Sequence, residues 1–197
     1  MGAKLLRWTA ARAAPSRTVD GTVLSRAQAG DETAFRTIYR HHHRQVFAFL
    51  ARMLGERGHE AEDLLQETFV RVFRALPRFR EDGPAQLSTW ILTIAYRLAV
   101  NALRRGRPCV PLSEAPVASE EGDPDQELRR RQLEQALIRA VSDLPPEHRA
   151  VFVLRDYEDL SYAEIAAVLD LEVGTVKSRL SRARSRVREG LKDIIDA

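Results

Sequence analysis

Basic and hydroxyl side chains are concentrated in one stretch near the C-terminus, residues 174–188, in which no acidic residue occurs. Arginine and short hydroxyl side chains suit contact with phosphate oxygens and bidentate reading of guanine in the major groove of duplex DNA. At helical spacing, one face of this stretch carries Thr175, Ser178, Arg179, Arg182 and Arg186, with Lys177 and Arg184 beside it. The pattern predicts DNA binding, although charge alone would also fit a solvated face or an acidic protein partner.

Two helices joined by a tight turn are predicted to carry this basic face. Ser161 followed by Glu164 is a capping-box pattern, which marks the start of a helix over residues 162–169. A longer helix over 174–193 follows the turn. Its apolar residues recur at three- and four-residue steps and are expected to pack inward; they are Val176, Leu180, Ala183, Val187 and Leu191. This arrangement is typical of a helix-turn-helix, whose second helix enters the major groove.

The residue patterns of common enzymes and metal sites do not occur in the sequence. It has no phosphate-cradling glycine-rich loop and no nucleophile elbow. His59 and Glu60 would begin a zinc-protease motif, but Asp63 occupies the place of its second histidine. The three histidines at 41–43 are consecutive, so they point in different directions along a helix, and we expect them to be surface or partly buried residues. We therefore expect neither catalysis nor a metal or other cofactor.

Length and composition indicate a globular chain with two small domains. The chain has 197 residues, of which 44% are hydrophobic and 30% charged. The formal net charge is only +3, so the local concentration of positive charge matters more than the sum. Cys109 is the only cysteine, which excludes an internal disulfide. No run approaches the roughly 18 apolar residues of a membrane helix, and we expect a cytoplasmic protein.

A break in helical periodicity divides the chain. Residues 106–126 contain four prolines and five acidic residues, which interrupt helices and favour a solvated linker. We predict a frayed N-terminal arm over 1–21, a helical domain over 22–105 and a second over 127–197. No alternating segment is long enough for a strand, so the predicted fold is all-α. The predicted helices cover residues 23–29, 32–53, 60–76, 87–105, 124–142, 146–156, 162–169 and 174–193.

Several segments, taken in order, carry a family resemblance. They are residues 60–74, 77–80 and 88–95 in the first half and residues 144–145, 160–166 and 174–184 in the second. In this order and spacing they resemble region two and region four of the sigma-70 family of RNA polymerase sigma factors, in its extracytoplasmic-function branch. Many regulators share a similar C-terminal helix-turn-helix, so the combination of both halves makes the resemblance specific. It covers residues 24–191.

The resemblance implies a sigma factor that docks on the core of RNA polymerase and directs it to promoters. In the family, an acidic helix of region two binds the clamp helices of the largest polymerase subunit. The matching residues here are Glu60, Glu62, Asp63, Gln66, Glu67, Arg71 and Arg74. Most of them lie off the apolar stripe of the predicted helix, where a partner can reach them and where any amphipathic helix keeps its solvated side.

The resemblance also implies capture of the non-template strand of the minus-ten element. Unstacked bases are best received by aromatic or apolar walls beside cationic side chains. The candidates are Arg80, Ser88, Thr89, Trp90, Arg97, Asn101, Arg104 and Arg105. Trp90 is equally compatible with a core position. Leu87, Arg97 and Asn101 replace the phenylalanine, asparagine and aspartate common in the family, and the loop 81–86 is slightly long, which indicates an unusual promoter preference.

By the same resemblance, the helix-turn-helix would read the minus-thirty-five element. The residues in matching positions are Tyr162, Thr175, Lys177, Ser178, Arg179, Ser181, Arg182 and Arg186. The expected partners are core polymerase, promoter DNA and an anti-sigma factor that clasps both domains, with no insertion into a membrane. The alternative is a stand-alone helix-turn-helix regulator, which would bind duplex DNA by itself, usually as a dimer.

Overall fold

The computed structural model describes residues 20–80, 86–105 and 124–192. Within these ranges the regular structure is helical and contains no strand, which confirms the predicted all-α fold. The helices are α1 (Gly21–Gln28), α2 (Glu32–Leu54), α3 (Ala61–Ala75), α4 (Leu87–Arg104), α5 (Pro124–Ser142), α6 (Pro146–Phe152), α7 (Tyr162–Leu169) and α8 (Val173–Gly190). Cys109 and most of the predicted arm, linker and loop 81–86 lie outside the described residues.

Helix α2 is the centre of the first domain and packs against α1, α3 and α4. Its apolar residues, such as Ile38 and Phe49, are fully buried, and so are Val72 of α3 and Ile91 of α4. The side chain of Asp31 accepts hydrogen bonds from the amides of Thr33 and Ala34, which starts α2. The helices of this domain therefore share one core.

The buried guanidinium of Arg57 joins the start of α3 to the end of α4. Residues Gly55–Glu60 form a 3-10 turn, and Arg57 within it donates to both carboxylate oxygens of Glu60 at 2.7 and 2.8 Å. The same guanidinium donates to the carbonyl of Ala102 at 3.0 Å. Helix α3 thus begins at Ala61, one residue later than predicted.

The second domain is built from α5 to α8, and two of these helices begin at residues that the sequence marks as helix starts. Pro146 occupies the first turn of α6. Ser161 and Glu164 form both bonds of a capping box, because the Ser161 oxygen accepts from the Glu164 amide and the Glu164 carboxylate accepts from the Ser161 amide. Helix α6 ends at Phe152 rather than at the predicted Asp156, because the backbone widens there into a π turn over Val153–Tyr157.

The two domains pack against each other. Helix α2 contacts α5 and α6, and α4 contacts α6 and α7. Buried apolar residues from both halves form a continuous core. In the described part of the chain, none of the helices combines the length and the apolar character that crossing a bilayer requires.

Candidate nucleic-acid interface

The basic face of α8 is exposed because its opposite face is buried. Val176 and Ala183 are fully buried, as is Ile165 of α7. This leaves most of the predicted DNA contacts exposed, namely Lys177, Ser178, Ser181, Arg182 and Arg186, with Thr175 and Arg179 half-buried. The turn between the helices is closed by Asp170 in the left-handed conformation, with φ of 55°. The structure therefore presents the predicted row of arginine and hydroxyl groups on one surface.

A groove beside this row combines cations, hydroxyl groups and an aromatic ring. The ring of Tyr162, at the start of α7, has Arg155 at 5.5 Å and Lys177 at 5.8 Å from its centroid. Ser181, Ser185, Arg184 and Arg188 of α8 line the rest of the groove. Such a lining suits the phosphate oxygens of a nucleic acid backbone.

Arg184 has a structural partner that sequence reasoning missed. Its guanidinium donates two hydrogen bonds to Asp156, at 2.6 and 3.1 Å. The bond to Asp156 raises the pKa of Arg184, and the pair fastens α8 to the turn after α6. Asp156 lies 28 residues away in the sequence, too far for a local pattern to reveal the contact.

The arginines of α8 also act on a neighbouring histidine. Burial lowers the pKa of His148 in α6, and the positive charges of Arg186, Arg179 and Arg182 lower it further. A protonated imidazole would add repulsion to a face that is already strongly positive. Burial and the arginine charges thus both lower the pKa of His148 beside this row.

A second cationic surface lies on α4. Arg97, Asn101, Arg104 and Arg105 are all exposed and recur at helical spacing along one face. Ser88 and Thr89, from the same predicted minus-ten set, are only 3% exposed and lie within the core. The structure therefore groups half of the predicted set on one surface and places these two hydroxyl residues behind it.

Trp90 lies between the core and the surface. It is half-buried, and its ring packs against Phe79 with centroids 5.0 Å apart. Arg80 follows Phe79 and is exposed. An aromatic pair next to cationic side chains is the kind of wall on which an unpaired base stacks.

The predicted docking residues on α3 form an exposed polar strip. Glu62, Asp63, Gln66 and Arg74 are exposed, and Glu67 accepts a hydrogen bond from Arg71 at 2.7 Å. Glu60 differs from the others, because it is half-buried and its carboxylate holds Arg57. Glu60 therefore supports the start of α3 from within the domain.

Exposed aromatic and apolar side chains border this strip. Phe73 is 46% exposed and meets Phe35 edge to face, with ring centroids 4.5 Å apart. Val70 and Tyr39 are also more than one-third exposed. Phe73 stays exposed because the apolar stripe of α3 is wider than the helix that covers it. The exposure of these side chains adds an apolar area to the polar strip.

Two family models match the chain, one over each half. The model for sigma-70 region 2 matches residues 38–108, which include the surfaces on α3 and α4. The model for sigma-70 region 4 matches residues 134–187, which include the helix-turn-helix. A relative from Mycolicibacterium smegmatis, the ECF RNA polymerase sigma factor SigE, is 37% identical over 184 residues, which cover 90% of this chain and 70% of the relative. The chain belongs to the sigma-70 family.

Further relatives are similar to this chain over nearly their whole length. The RNA polymerase sigma-H factor of Pseudomonas aeruginosa is 32% identical, with 89% of this chain and 95% of the relative covered. The solved structure of the sigma factor RpoE from Bartonella quintana, in complex with the anti-sigma factor NepR, has a TM-score of 0.64 and 28% identity, with 80% of this chain and 96% of that chain covered. The chain is an RNA polymerase sigma factor of the extracytoplasmic-function branch, and the alternative of a stand-alone regulator is set aside.

The histidine run of the sigma factor is buried more deeply than predicted. His42 is 2% exposed, whereas His41 and His43 are half-buried. Burial, with a smaller effect from His41, lowers the pKa of His42 to about 4. The described residues contain no cluster of side chains that could hold a metal ion.

Proposed function

We propose that this sigma factor works by a cycle of binding without chemistry of its own. It docks on core polymerase, recognises two promoter elements, holds the melted strand and leaves during elongation, while catalysis belongs to the polymerase. The proposal is supported chiefly by the presence, on one chain, of a basic helix-turn-helix, a cationic face on α4 and a polar and aromatic surface on α3. A protein that acts together with RNA polymerase is expected in the cytoplasm.

The docking contact is proposed at the surface of α3. Protein interfaces combine an apolar centre with a polar rim, and here Phe73 and Val70 supply apolar area beside Asp63 and Gln66. Charged rim residues favour the correct partner and orientation. The proposed contacts are Glu62, Asp63, Gln66, Glu67, Arg71 and Arg74, and Glu60 is assigned the supporting role of holding Arg57.

The melted minus-ten strand is proposed to lie along α4. Its phosphates face Arg97, Arg104 and Arg105, and an unpaired base stacks on Trp90. Ser88 and Thr89 are buried, so they position the first turn of α4 instead of contacting the strand. Arg80 stands beside the aromatic pair as a further phosphate contact.

The minus-thirty-five element is proposed to bind α8 in its major groove. Arg179, Arg182 and Arg186 supply base and phosphate contacts, while Tyr162 and the groove beside it hold the adjacent backbone. Residues 22–105 and 127–197 then act as separate DNA-binding units on the linker 106–126. Two weak contacts on one chain become effective together once core polymerase fixes their separation.

An anti-sigma factor is a further proposed partner. The structure of RpoE from Bartonella quintana was solved with the anti-sigma factor NepR, and it shares its fold with this chain. A protein that holds both domains would cover the DNA-binding surfaces of α4 and α8 at once. Such a complex would be inactive until the partner is released.

Run-off transcription with purified bacterial core polymerase, on a library of promoter fragments, tests the docking contact. Wild-type protein should give specific transcripts, and Asp63→Arg should reduce them about tenfold or more at limiting protein. A partner surface that pairs with an acidic side chain would then face a like charge, which costs several kcal/mol. Glu134→Arg makes the same change of charge at an exposed position of α5 and should transcribe like wild type. If Asp63→Arg transcribes like this control, the docking contact is not on α3.

A further inference from the structure

The side chain of Gln28, at the C-terminal end of α1, holds the segment that leaves α3. Its amide nitrogen donates to the carbonyl of Leu76 at 3.2 Å and to the carbonyl of Phe79 at 2.6 Å. These carbonyls lie at the start and just past the end of the 3-10 turn Leu76–Arg78. A primary amide carries two N–H donors, so one side chain serves both carbonyls. Gln28 therefore ties the two ends of this turn together from a separate helix.

The end of α1 that carries Gln28 is itself fixed to the start of α2. Two nitrogens of the Arg26 guanidinium donate to one carboxylate oxygen of Asp31, at 2.9 and 2.6 Å. The other oxygen of Asp31 accepts from the amides of Thr33 and Ala34 at the start of α2. The amide of Asp31 also donates to the carbonyl of Arg26 at 3.0 Å. Because these bonds fix the turn between the two helices, Gln28 extends from a well-held backbone.

The turn held by Gln28 leads directly into the aromatic pair of the proposed minus-ten surface. Leu76, at the start of the turn, is fully buried. Phe79 follows the turn with an extended backbone, φ of −69° and ψ of 135°. Its ring lies against Trp90 with centroids 5.0 Å apart and ring planes tilted by 42°. The two bonds from Gln28 therefore set the place from which the Phe79 ring meets Trp90.

The orientation of an aromatic ring decides whether a base can stack on it. Stacked rings need an offset, nearly parallel arrangement, so a small rotation or shift of the ring removes the contact. Functional side chains are therefore held by neighbours whose own bonds fix their positions. The bonds from Gln28 to the carbonyls of Leu76 and Phe79 are part-buried, where loss of a donor is more costly than at an exposed site. Gln28 is suited to hold the aromatic pair in this way.

We propose that Gln28 is a positioning residue for capture of the melted minus-ten strand. Its amide fixes the turn Leu76–Arg78 and, through Phe79, holds Trp90 in the orientation on which an unpaired base stacks. The inference rests on the proposed function, because this orientation matters only if a base stacks on Trp90. Gln28 lies outside residues 38–108, which the region 2 family model matches. Helix α1 thereby contributes to strand capture without contacting the strand.

Strand binding by the complex of this sigma factor with core polymerase tests the proposal. The probe is a single-stranded oligonucleotide from the non-template strand of a promoter selected by run-off transcription. Gln28→Met keeps the length of the side chain without its donors, and it should weaken binding about tenfold, the size of one lost base–aromatic stack. Its affinity for core polymerase should be unchanged. Gln132→Met makes the same change at an exposed position of α5 and should bind the strand like wild type.

Tryptophan fluorescence tests the same role without DNA or polymerase. In a Trp8→Phe background, Trp90 is the remaining tryptophan. Gln28→Met should move its emission to longer wavelength and lower its anisotropy, because a ring that is less firmly packed meets more water and moves faster. Gln28→Lys supplies N–H donors again and should restore the wild-type spectrum. A role of Gln28 in filling space would instead be met by methionine, with no change in the spectrum.

A double-mutant cycle shows whether Gln28 acts through Trp90. Gln28→Met combined with Trp90→Leu should bind the strand no more weakly than Trp90→Leu alone, because both changes remove the same stack. The proposal is overturned if Gln28→Met, with helical content unchanged by circular dichroism, leaves Trp90 fluorescence and strand binding as in wild type, or if the two losses add in full. If Trp90→Leu itself binds the strand like wild type, the stacking site is wrong, and the inference falls together with that part of the proposed function.

Discussion

Arginine side chains of the same type have different roles in this sigma factor, and burial and partners decide which. Arg182 and Arg186 are exposed on α8, where we propose that they contact DNA. Arg184, two residues from each, is fastened to Asp156. Arg57 and Arg149 are buried, and their guanidinium groups donate to a carboxylate or to backbone carbonyl groups. A count of basic residues along the chain therefore overstates the number that can meet a phosphate.

At the same scale, His42 makes the stability of the protein depend on pH. Burial lowers its pKa to about 4, from 6.5 in the unfolded chain. Between these values the unfolded chain binds a proton that the native state does not, so native stability is complete above the unfolded pKa and falls as the pH drops towards 4. From about pH 7 to about pH 5, this should cost about 2 kcal/mol of unfolding free energy.

Urea unfolding of wild type and His42→Leu at both pH values measures this effect. The variant lacks the titrating group, so its unfolding free energy should fall by about 2 kcal/mol less than that of wild type over the same interval. Carboxylates that titrate in this range contribute equally to both proteins and cancel in the comparison. Equal losses in the two proteins would show that His42 is not held neutral in the native state.

At the scale of elements, the helix-turn-helix follows local rules closely. The capping box at Ser161 and the apolar spacing of α8 predicted both helices, and the structure has them at Tyr162–Leu169 and Val173–Gly190. Local hydrogen bonds and helical periodicity act over a few residues, so the sequence displays them directly. The π turn after α6 follows from no such local signal.

The exposed face of α8 predicts how promoter binding depends on salt. Each arginine that neutralises a phosphate releases a counterion, so Arg182→Ala in the polymerase complex should reduce the slope of log affinity against log salt concentration by about 1. Arg44→Ala, at an exposed position of α2, should leave the slope unchanged. An unchanged slope for Arg182→Ala, with relaxed sequence preference, would assign Arg182 to a base instead of a phosphate.

At the scale of the whole molecule, the two domains share a continuous core. Arg149, Glu158 and Gly55 lie where the halves meet, and each of them approaches residues of the other half closely. Units that share buried contacts lose them together when either unfolds. The free protein should therefore behave as one cooperative structure although its sequence divides into two domains.

Equilibrium unfolding in urea checks this cooperativity. In a Trp8→Phe background, fluorescence reports on Trp90 in the first domain, while far-ultraviolet circular dichroism reports on helices of both domains. The two transitions should coincide in the protein with Arg52 intact and separate in the Arg52→Glu variant, which places a like charge against Glu158. Coincidence of different probes is the mark of a two-state transition. If the two transitions are already separate in the protein with Arg52 intact, the domains unfold independently.

The sequence by itself determined the helices, their order, the helix-turn-helix and the family, because caps, periodicity and motif spacing are properties of neighbouring residues. Only the tertiary structure decided which polar residues are buried or bind other side chains of the protein. Ser88 and Thr89 are buried, Glu60 holds Arg57, and His42 lies in the core. The packing of α2 against α6 was likewise decided by contacts such as Gln45 with Glu158, which are 113 residues apart. Contacts at that separation depend on how the helices pack together, which no local pattern in the chain encodes.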